Sequence, residues 1–466
     1  MIGREIELKS LNDRYNSDRF EMVPVFGRRR VGKTTLLKEF IKGRKGVYFS
    51  ATRGSLNVNI SRLASKILGT SIPVRISLED LFQEIKERSH HERYVLIIDE
   101  YPNLVRKDEH FTDALQEFID DIENDSKLFL ILCGSSMSIM KHQVLSSQSP
   151  IYGRRTGQLE IRPMDIWDSM KMLNGFSNED MLRIYGVVGG IPLYLKMFNS
   201  KYSMEENIRR LFFEESSFFR NEHEFVMMEE FENPHTYYTL IEALASGYTR
   251  VSDIATYCSL DDSTIHKYLS SLLATSFVER ITPVDNPDGK NVLYKLADHF
   301  LRFQFSRVLP VVDYYDPDHP EQTIGQIVKR METDMGPVFE EVCGQHLKRK
   351  YRGKLGKWWG ADPVKRKQEE IDLILITKDG DKTIGWFAEC KYKNELVGID
   401  VFETLKYRST LVKGIDEYRF VLYSKSGFTE NLCRSEVAEL NVLEDVLFYP
   451  ATTLSHISVY NRSRYD

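Results

Sequence analysis

The chain has 466 residues, of which 42% are hydrophobic and 28% charged, with a formal net charge of -6. That length exceeds what one core usually supports, so three or four domains of a soluble globular protein are expected. The negative balance excludes a uniformly basic nucleic-acid binder and confines any nucleic-acid surface to a local patch.

The opening MIGREIELKSL carries acids and no apolar stretch, which argues against a signal peptide. No run of about 18 apolar residues occurs, so no membrane span is expected. From residue 23 to about 165, the short apolar runs VPVF, GVYFS, YVLIIDE, LFLILCGSS and GQLEIRP alternate with helical patterns. This alternation predicts a parallel sheet covered by helices. Residues 166 to about 232 read as helices rich in Met, Phe and Glu, and a compact helical set with a hairpin follows. VVDYYDPDHPEQT reads as a linker, and a last α/β region runs from about 325 to the end. The five cysteines, Cys133, Cys258, Cys343, Cys390 and Cys433, include no CxxC pair. They read as reduced thiols in a cytoplasmic protein.

Gly27, Gly32, Lys33 and Thr34 fill the pattern GxxxxGK[ST] between a strand-like run and the helical TTLLKEFIKG. Glycines let backbone N–H groups curl round a β-phosphate, and the helix N-terminus adds positive potential. Lys33 is expected to reach the β- and γ-phosphates, and the Thr34 hydroxyl to ligate Mg2+. The loop residues Gly27, Arg28, Arg29, Arg30, Val31, Gly32, Lys33, Thr34 and Thr35 form the expected nucleotide-binding segment. The side chains of Arg28 to Arg30 are expected to point outward, to salt bridges with a lid, with the YGRRT turn or with a partner's phosphates. Pro24 is awkward in a central strand and is expected at a strand start or a bulge.

YVLIIDEYPNL places two acids at a strand's C-terminal end, where ligands bind open α/β sheets. Asp99 is expected to hold Mg2+ through water, and Glu100 to polarise the attacking water. After LFLILCG, Ser135 or Ser136 is expected either to bond water or the γ-phosphate, or to cap the next helix.

IGREIEL, GRRRVGKTTLL, LIIDEYPNL, LILCGSS, YGRRTGQLEIRPM and VVGGIPLYL occur in that order. Together they resemble the archaeal-type ATPases of the AAA+/STAND group of P-loop NTPases. The resemblance covers roughly the first half of the chain. It implies ATP and Mg2+ as ligands, a sheet with the phosphate-loop strand central, and a helical lid. It also implies that Gly3, Arg4 and Glu5 lie near the adenine and that Gly189 to Pro192 form a lid turn over the base. Arg154 and Arg155 match the YGRRT motif, which makes them candidates for an arginine reaching a γ-phosphate.

Residues 235 to 300 suit a winged helix-turn-helix. Its third helix is LDDSTIHKYLSSLLATSF, capped by Asp261 or Asp262, with Ile265, Tyr268, Leu269, Leu272 and Leu273 facing the core. Thr264, His266 and Lys267 would face a major groove. That surface is weakly basic, so a structural or protein-contacting role, touching DNA only in an assembly, is the favoured expectation.

EEIDLILITKDGDKTIGWFAECKYKN reads as a hairpin. A two-residue turn, Asp379–Gly380 or Gly380–Asp381, puts Asp372 opposite Phe387 or Glu389. In either case Asp372, Glu389 and Lys391 share a face. Two carboxylates and a lysine can bind a divalent cation and activate water against a phosphodiester. The set resembles the PD-(D/E)xK nuclease core, and the region is similar to a domain of unknown function that accompanies these ATPases. The resemblance implies a glutamate on the preceding helix, Glu340 or Glu341, as a further metal ligand. Nine Lys or Arg between Gln345 and Glu370, with KWWG, suit a polyanion or a solvated basic face with core tryptophans.

The expected fold is thus α/β and multidomain: a P-loop NTPase parallel sheet with a helical lid, a winged helix-turn-helix and a C-terminal α/β restriction-endonuclease-like domain. The expected divisions are 1–165, 166–232, 233–312 and 313–466. Expected partners are ATP and ADP, DNA through the last two domains, and further copies of the chain.

Overall fold

Strand alternation explains how one apolar run can feed two cores. In the computed structural model, which describes residues 1–105, 110–435 and 439–449, the five early runs form β1 (Glu21–Phe26), β2 (Gly46–Ser50), β3 (Tyr94–Asp99), β4 (Leu128–Gly134) and β5 (Leu159–Glu160). They make one parallel sheet in the order β2-β3-β4-β1-β5. Val23, Val25, Val95, Ile97, Phe129 and Ile131 pack on one face with Leu36, Leu37 and Phe40 of the helix Lys33–Ile41. Met22, Leu96, Ile98, Leu130 and Leu132 face the other way. There they meet the helices Leu56–Leu68, Leu78–His91 and His110–Ile122. Each fully buried aliphatic or Phe side chain contributes about 1.5–3 kcal/mol.

The phosphate-loop strand is therefore interior but next to last, and β4 is the strand beside it toward the centre. Pro24 sits in the middle of β1, in regular register opposite Leu132, and not at a strand start or bulge. The geometry tolerates it. Met22 O accepts from Thr156 N at 2.9 Å and Phe26 O from Ile161 N at 2.7 Å, so the even-numbered residues turn their polar groups toward β5. β5 pairs only with Val25 and Phe26, so the missing N–H of Pro24 breaks no bond to β4.

The described chain divides into two units: Met1–Phe176, Ile184–Glu279 and Tyr294–Ile327 form the first, and Ser177–Arg183, Arg280–Leu293 and the residues from Val328 onward the second. The first unit includes the helices Glu222–Glu230, His235–Ala245, Val251–Cys258 and Asp262–Ala274. Asp261 caps the last of these by accepting from Thr264 N at 2.9 Å, while Ile265, Leu269 and Leu272 are its buried positions. Tyr268 and Leu273 are only half-buried. β6 (Val278–Ile281) and β7 (Leu293–Leu296) make a two-stranded sheet.

The second unit is a five-stranded mixed sheet built from β8 (Lys354–Asp362), β9 (Lys367–Asp379), β10 (Lys382–Lys391), β11 (Glu417–Ser424) and β12 (Glu439–Val442). β8, β9 and β10 run antiparallel, and β10, β11 and β12 parallel. The helix Ile399–Ser409 connects β10 to β11 and buries Phe402 and Leu405 against Ile374, Phe387 and Leu422. Lys382 lies opposite Asp379 and Ala388 opposite Leu373, so the turn is Gly380–Asp381, with Gly380 at φ +59°. Continuing this register sets Asp372 against Glu389. Among the described residues no helix is long and apolar enough to cross a membrane.

Candidate functional site

The loop after β1 is shaped by backbone that few side chains allow. Gly27 has φ +153°, and a Cβ there would stand 2.2 Å from Ile161 O. Gly32, at φ +98°, opens the helix Lys33–Ile41. Between them Arg30 is held at φ +67°, a left-handed value that costs a non-glycine residue on the order of 1–3 kcal/mol. Arg4 braces the loop from the N-terminal helix. Its guanidinium donates to Val31 O at 2.9 Å and to Arg162 O at 2.8 Å. Gly3 is equally confined, since a Cβ would meet the Asp168 side chain. Thr35 is exposed beside Thr34 on the first helical turn.

Lys33 is buried and donates through Nζ to Gly27 O at 2.7 Å and Arg28 O at 2.8 Å. Burial pulls its pKa down, while Cys133, Glu100, Asp99 and Glu230 oppose that shift. Thr34 Oγ1 donates to Asp99 Oδ2 at 2.8 Å, and Tyr48 OH donates to the same oxygen. The other oxygen of Asp99 accepts from Glu100 N at 3.0 Å. Glu100 itself sits at φ +55°, just past the end of β3. Ser135 Oγ lies 3.0 Å from both of its carboxylate oxygens. Ser135 therefore addresses Glu100, and Ser136 is the residue that precedes the short helix Met137–Met140.

Thr34 and Asp99 offer hard oxygen donors within one hydrogen-bond length of each other, which suits Mg2+. The loop N–H groups, Lys33 and the carboxylate of Glu100 gather at the C-terminal edge of the sheet. This arrangement can cradle a polyphosphate and orient a water at its end.

Other expected residues lie elsewhere. Arg154 is held by both carboxylate oxygens of Asp120, at 2.5 and 2.6 Å, and donates to Pro150 O. Arg155 bonds Gln158 at 3.0 Å and stacks 4.4 Å over the Tyr152 ring. Both arginines thus bond within their own surroundings. Pro192 starts the helix Pro192–Leu195, and Gly190 O accepts from Met164 N at 2.7 Å. A Cβ on Gly190 would stand 1.8 Å from Met164 O, so this turn requires glycine.

In the second unit Lys391 Nζ lies 2.6 Å from Glu389 Oε1 and 3.9 Å from Asp372 Oδ2. Asp372 Oδ2 also accepts from Cys390 N at 2.8 Å. Burial, then the charges of Glu389 and Glu340, push the Asp372 pKa up to about 7. Glu389 Oε2 is buried without a hydrogen-bond partner among the described residues. Glu340 carries an ion pair with Lys357 through Oε2. Glu341 keeps a partner of its own as well. Among the described residues, no group of three or more His, Cys, Asp or Glu is arranged to hold a metal ion. The basic run is partly neutralised too: Lys350 pairs with Glu439, Lys357 with Glu340 and Lys367 with Glu369. Trp358 is core, donating to Asp285 at 3.0 Å, and is not an exposed stacking platform.

Residues 1–198 match the model of an ATPase domain predominantly from Archaea, and residues 304–406 match one described as archaea bacterial proteins of unknown function. An uncharacterized protein of Methanocaldococcus jannaschii is 32% identical over 430 residues, spanning 90% of this chain and 93% of that protein. The chain belongs to the same family as that protein, and its first 198 residues carry the ATPase domain. An uncharacterized ATP-binding protein of the same organism is 39% identical over 44 residues, 9% of this chain and 75% of its own. A Walker-type ATPase of Pyrococcus abyssi, at 20% identity and a TM-score of 0.51, covers 66% of this chain and 96% of its own. That likeness is one of fold.

Several residues at the site carry no local sequence signal. Tyr48, on β2, and Glu222, Glu229 and Asp298, which meet the loop arginines, lie in no recognisable motif. The density of glutamates between 214 and 230 is the one hint the sequence holds.

Proposed function

We propose that this protein binds MgATP at the phosphate loop and hydrolyses it, and that the nucleotide state controls a nucleic-acid-binding, nuclease-like C-terminal unit. The observation that carries the first part is the joined set Lys33, Thr34, Asp99, Glu100 and Ser135. The loop N–H groups and Lys33 would hold the β- and γ-phosphates, and Thr34 and Asp99 would hold Mg2+. When bound, Mg2+ neutralises charge developing on the phosphates. Glu100, steadied by Ser135, would accept the proton of the attacking water.

For the second part, the support is the helix Pro320–Lys350 followed by β8, β9, β10, the helix Ile399–Ser409 and β11, with Asp372, Glu389 and Lys391 converging. The three helices from 235 to 274 and the β6–β7 sheet suit a winged helix with exposed His266 and Lys267. A second reading, a nucleotide-dependent switch whose C-terminal unit binds a partner without cutting, is favoured by the Glu340–Lys357 pair, which engages one oxygen of the third expected metal ligand.

The test is paired. ATP turnover and Mg2+-dependent plasmid cleavage are measured for wild type, Lys33→Ala and Lys391→Ala. Turnover lost only in Lys33→Ala and cleavage lost in Lys391→Ala support the first reading. Cleavage that is absent, or indifferent to Lys391→Ala, removes the nuclease assignment. Wild type without nucleotide binding sinks both readings.

A further inference from the structure

Each of the three arginines in the phosphate loop meets a carboxylate from a distant part of the same unit. Arg28 pairs with Asp298, Arg29 with Glu229 at 2.5 Å, and Arg30 with Glu222. Asp298 and Glu222 are each only 2% exposed. A buried carboxylate is costly unless it is paired and hydrogen-bonded, and both are. Asp298 Oδ1 caps the helix His299–Phe303 by accepting from Leu301 N at 2.6 Å. Glu222 Oε1 accepts from Tyr194 OH, also at 2.6 Å.

The guanidinium groups of Arg28 and Arg30 are enclosed as well. Arg28 lies 4.8 Å over the Phe277 ring. Arg30 lies 4.8 Å over Phe218 and 5.6 Å over Tyr194. These contacts fix the direction of those two arms. The backbone of the same residues builds the cradle: Arg28 O accepts from Lys33 Nζ at 2.8 Å, and Arg30 holds its left-handed φ. A non-glycine residue keeps such a conformation only where its surroundings over-determine it.

We infer that Glu222, Glu229 and Asp298 are positioning residues for the phosphates of the nucleotide: they clamp the three arginines and so hold the loop N–H groups in binding geometry. The inference rests on the ATP-binding reading above. It makes phosphate affinity depend on the helix Glu222–Glu230 and on Asp298, neither of which belongs to the nucleotide motif. A loop already held in its bound conformation binds more tightly than one that must first be ordered.

The test is calorimetric titration of the full chain with MgATP, together with steady-state turnover. Glu222→Gln and Asp298→Asn should each raise the Kd on the order of ten-fold, with kcat at saturating ATP nearly kept. The double variant Arg28→Gln/Asp298→Asn should cost no more than the worse of its two single variants, because both remove one arm. Folded Glu222→Gln and Asp298→Asn variants with the wild-type Kd overturn the clamp. If these buried substitutions prevent folding, the more exposed pair decides. Arg29→Glu should weaken MgATP binding, and Arg29→Glu/Glu229→Arg should restore it. A swap no better than the single change overturns the inference. If wild type fails to bind MgATP, or Lys33→Ala binds as wild type does, the ATP-site reading fails instead.

Discussion

Ser135 Oγ stands 3.0 Å from each carboxylate oxygen of Glu100, so one hydroxyl at the end of β4 restrains the acid at the end of β3. The restraint gives Glu100 a defined direction while its backbone is held at φ +55°. Glu100→Gln removes the proton acceptor and keeps the shape. Turnover should fall by about 10²–10⁴-fold while MgATP binding stays near the wild-type value. Ser135→Ala should lower kcat by a smaller factor without raising the Kd. Single-turnover hydrolysis beside equilibrium binding separates the two, and a Glu100→Gln chain with wild-type turnover removes Glu100 from the reaction.

Tyr48 is the second donor on Asp99 Oδ2, next to Thr34. Burial and then the hydrogen bond to Asp99 push its pKa up, so it stays a donor at any working pH. Tyr48→Phe leaves the ring and deletes that bond. The Mg2+ concentration for half-maximal turnover should rise by about ten-fold, the usual cost of losing a group that orients a metal ligand. Metal-free nucleotide binding should not change. An unaltered Mg2+ curve would show that Asp99 needs no support from β2.

In the second unit, Lys391 bridges Glu389 and Asp372. Lys391→Ala should abolish Mg2+-dependent cleavage of plasmid DNA and leave ATP turnover unchanged. Lys357→Met, which frees Glu340, should strengthen Mg2+ binding by this unit, read as a larger rise in its melting temperature on adding Mg2+. No gain over wild type would mean that Glu340 does not belong to a cation site.

His346, on the helix Pro320–Lys350, bonds Tyr423 OH at 2.9 Å. Burial lowers its pKa to about 4, with Lys350 and Arg349 adding to the shift and Glu439 and Asp445 opposing it. The folded chain thus holds this ring neutral while the unfolded chain protonates it near pH 6.5. Between those values the unfolded state binds more protons, so stability rises with pH and is lost as pH falls from about 6.5 toward 4. The loss should be on the order of 1–3 kcal/mol. Three of the four tryptophans, Trp358, Trp359 and Trp386, lie in this unit, so tryptophan fluorescence in a denaturant titration of a Trp167→Phe background reports it. His346→Gln should flatten the slope across that range. An equally steep slope in the variant would place the titrating group elsewhere.

Much of the nucleotide site is legible in the residues alone. GxxxxGK[ST], the acids ending YVLIIDE and the serines after LFLILCG follow local rules: glycine where φ must be positive, apolar residues where a strand is buried on both faces, and acids at its open end. Those rules act within a few residues, so they suffice to place Lys33, Thr34, Asp99 and Glu100. The C-terminal hairpin is readable to within one register, because a two-residue turn and period-two alternation put Asp372, Glu389 and Lys391 on one face either way.

Which elements form, and which side chains stand at their ends, follows largely from local residues, since propensity, periodicity and turn chemistry are short-range. The partners of long side chains come from the three-dimensional packing. It gave Arg28, Arg29 and Arg30 to Asp298, Glu229 and Glu222, took Arg154 to Asp120, set Tyr48 on Asp99 and locked Glu340 to Lys357. A charge that packing buries must find an opposite charge or a donor wherever the fold brings one close, and nothing in the residues beside it says where that will be.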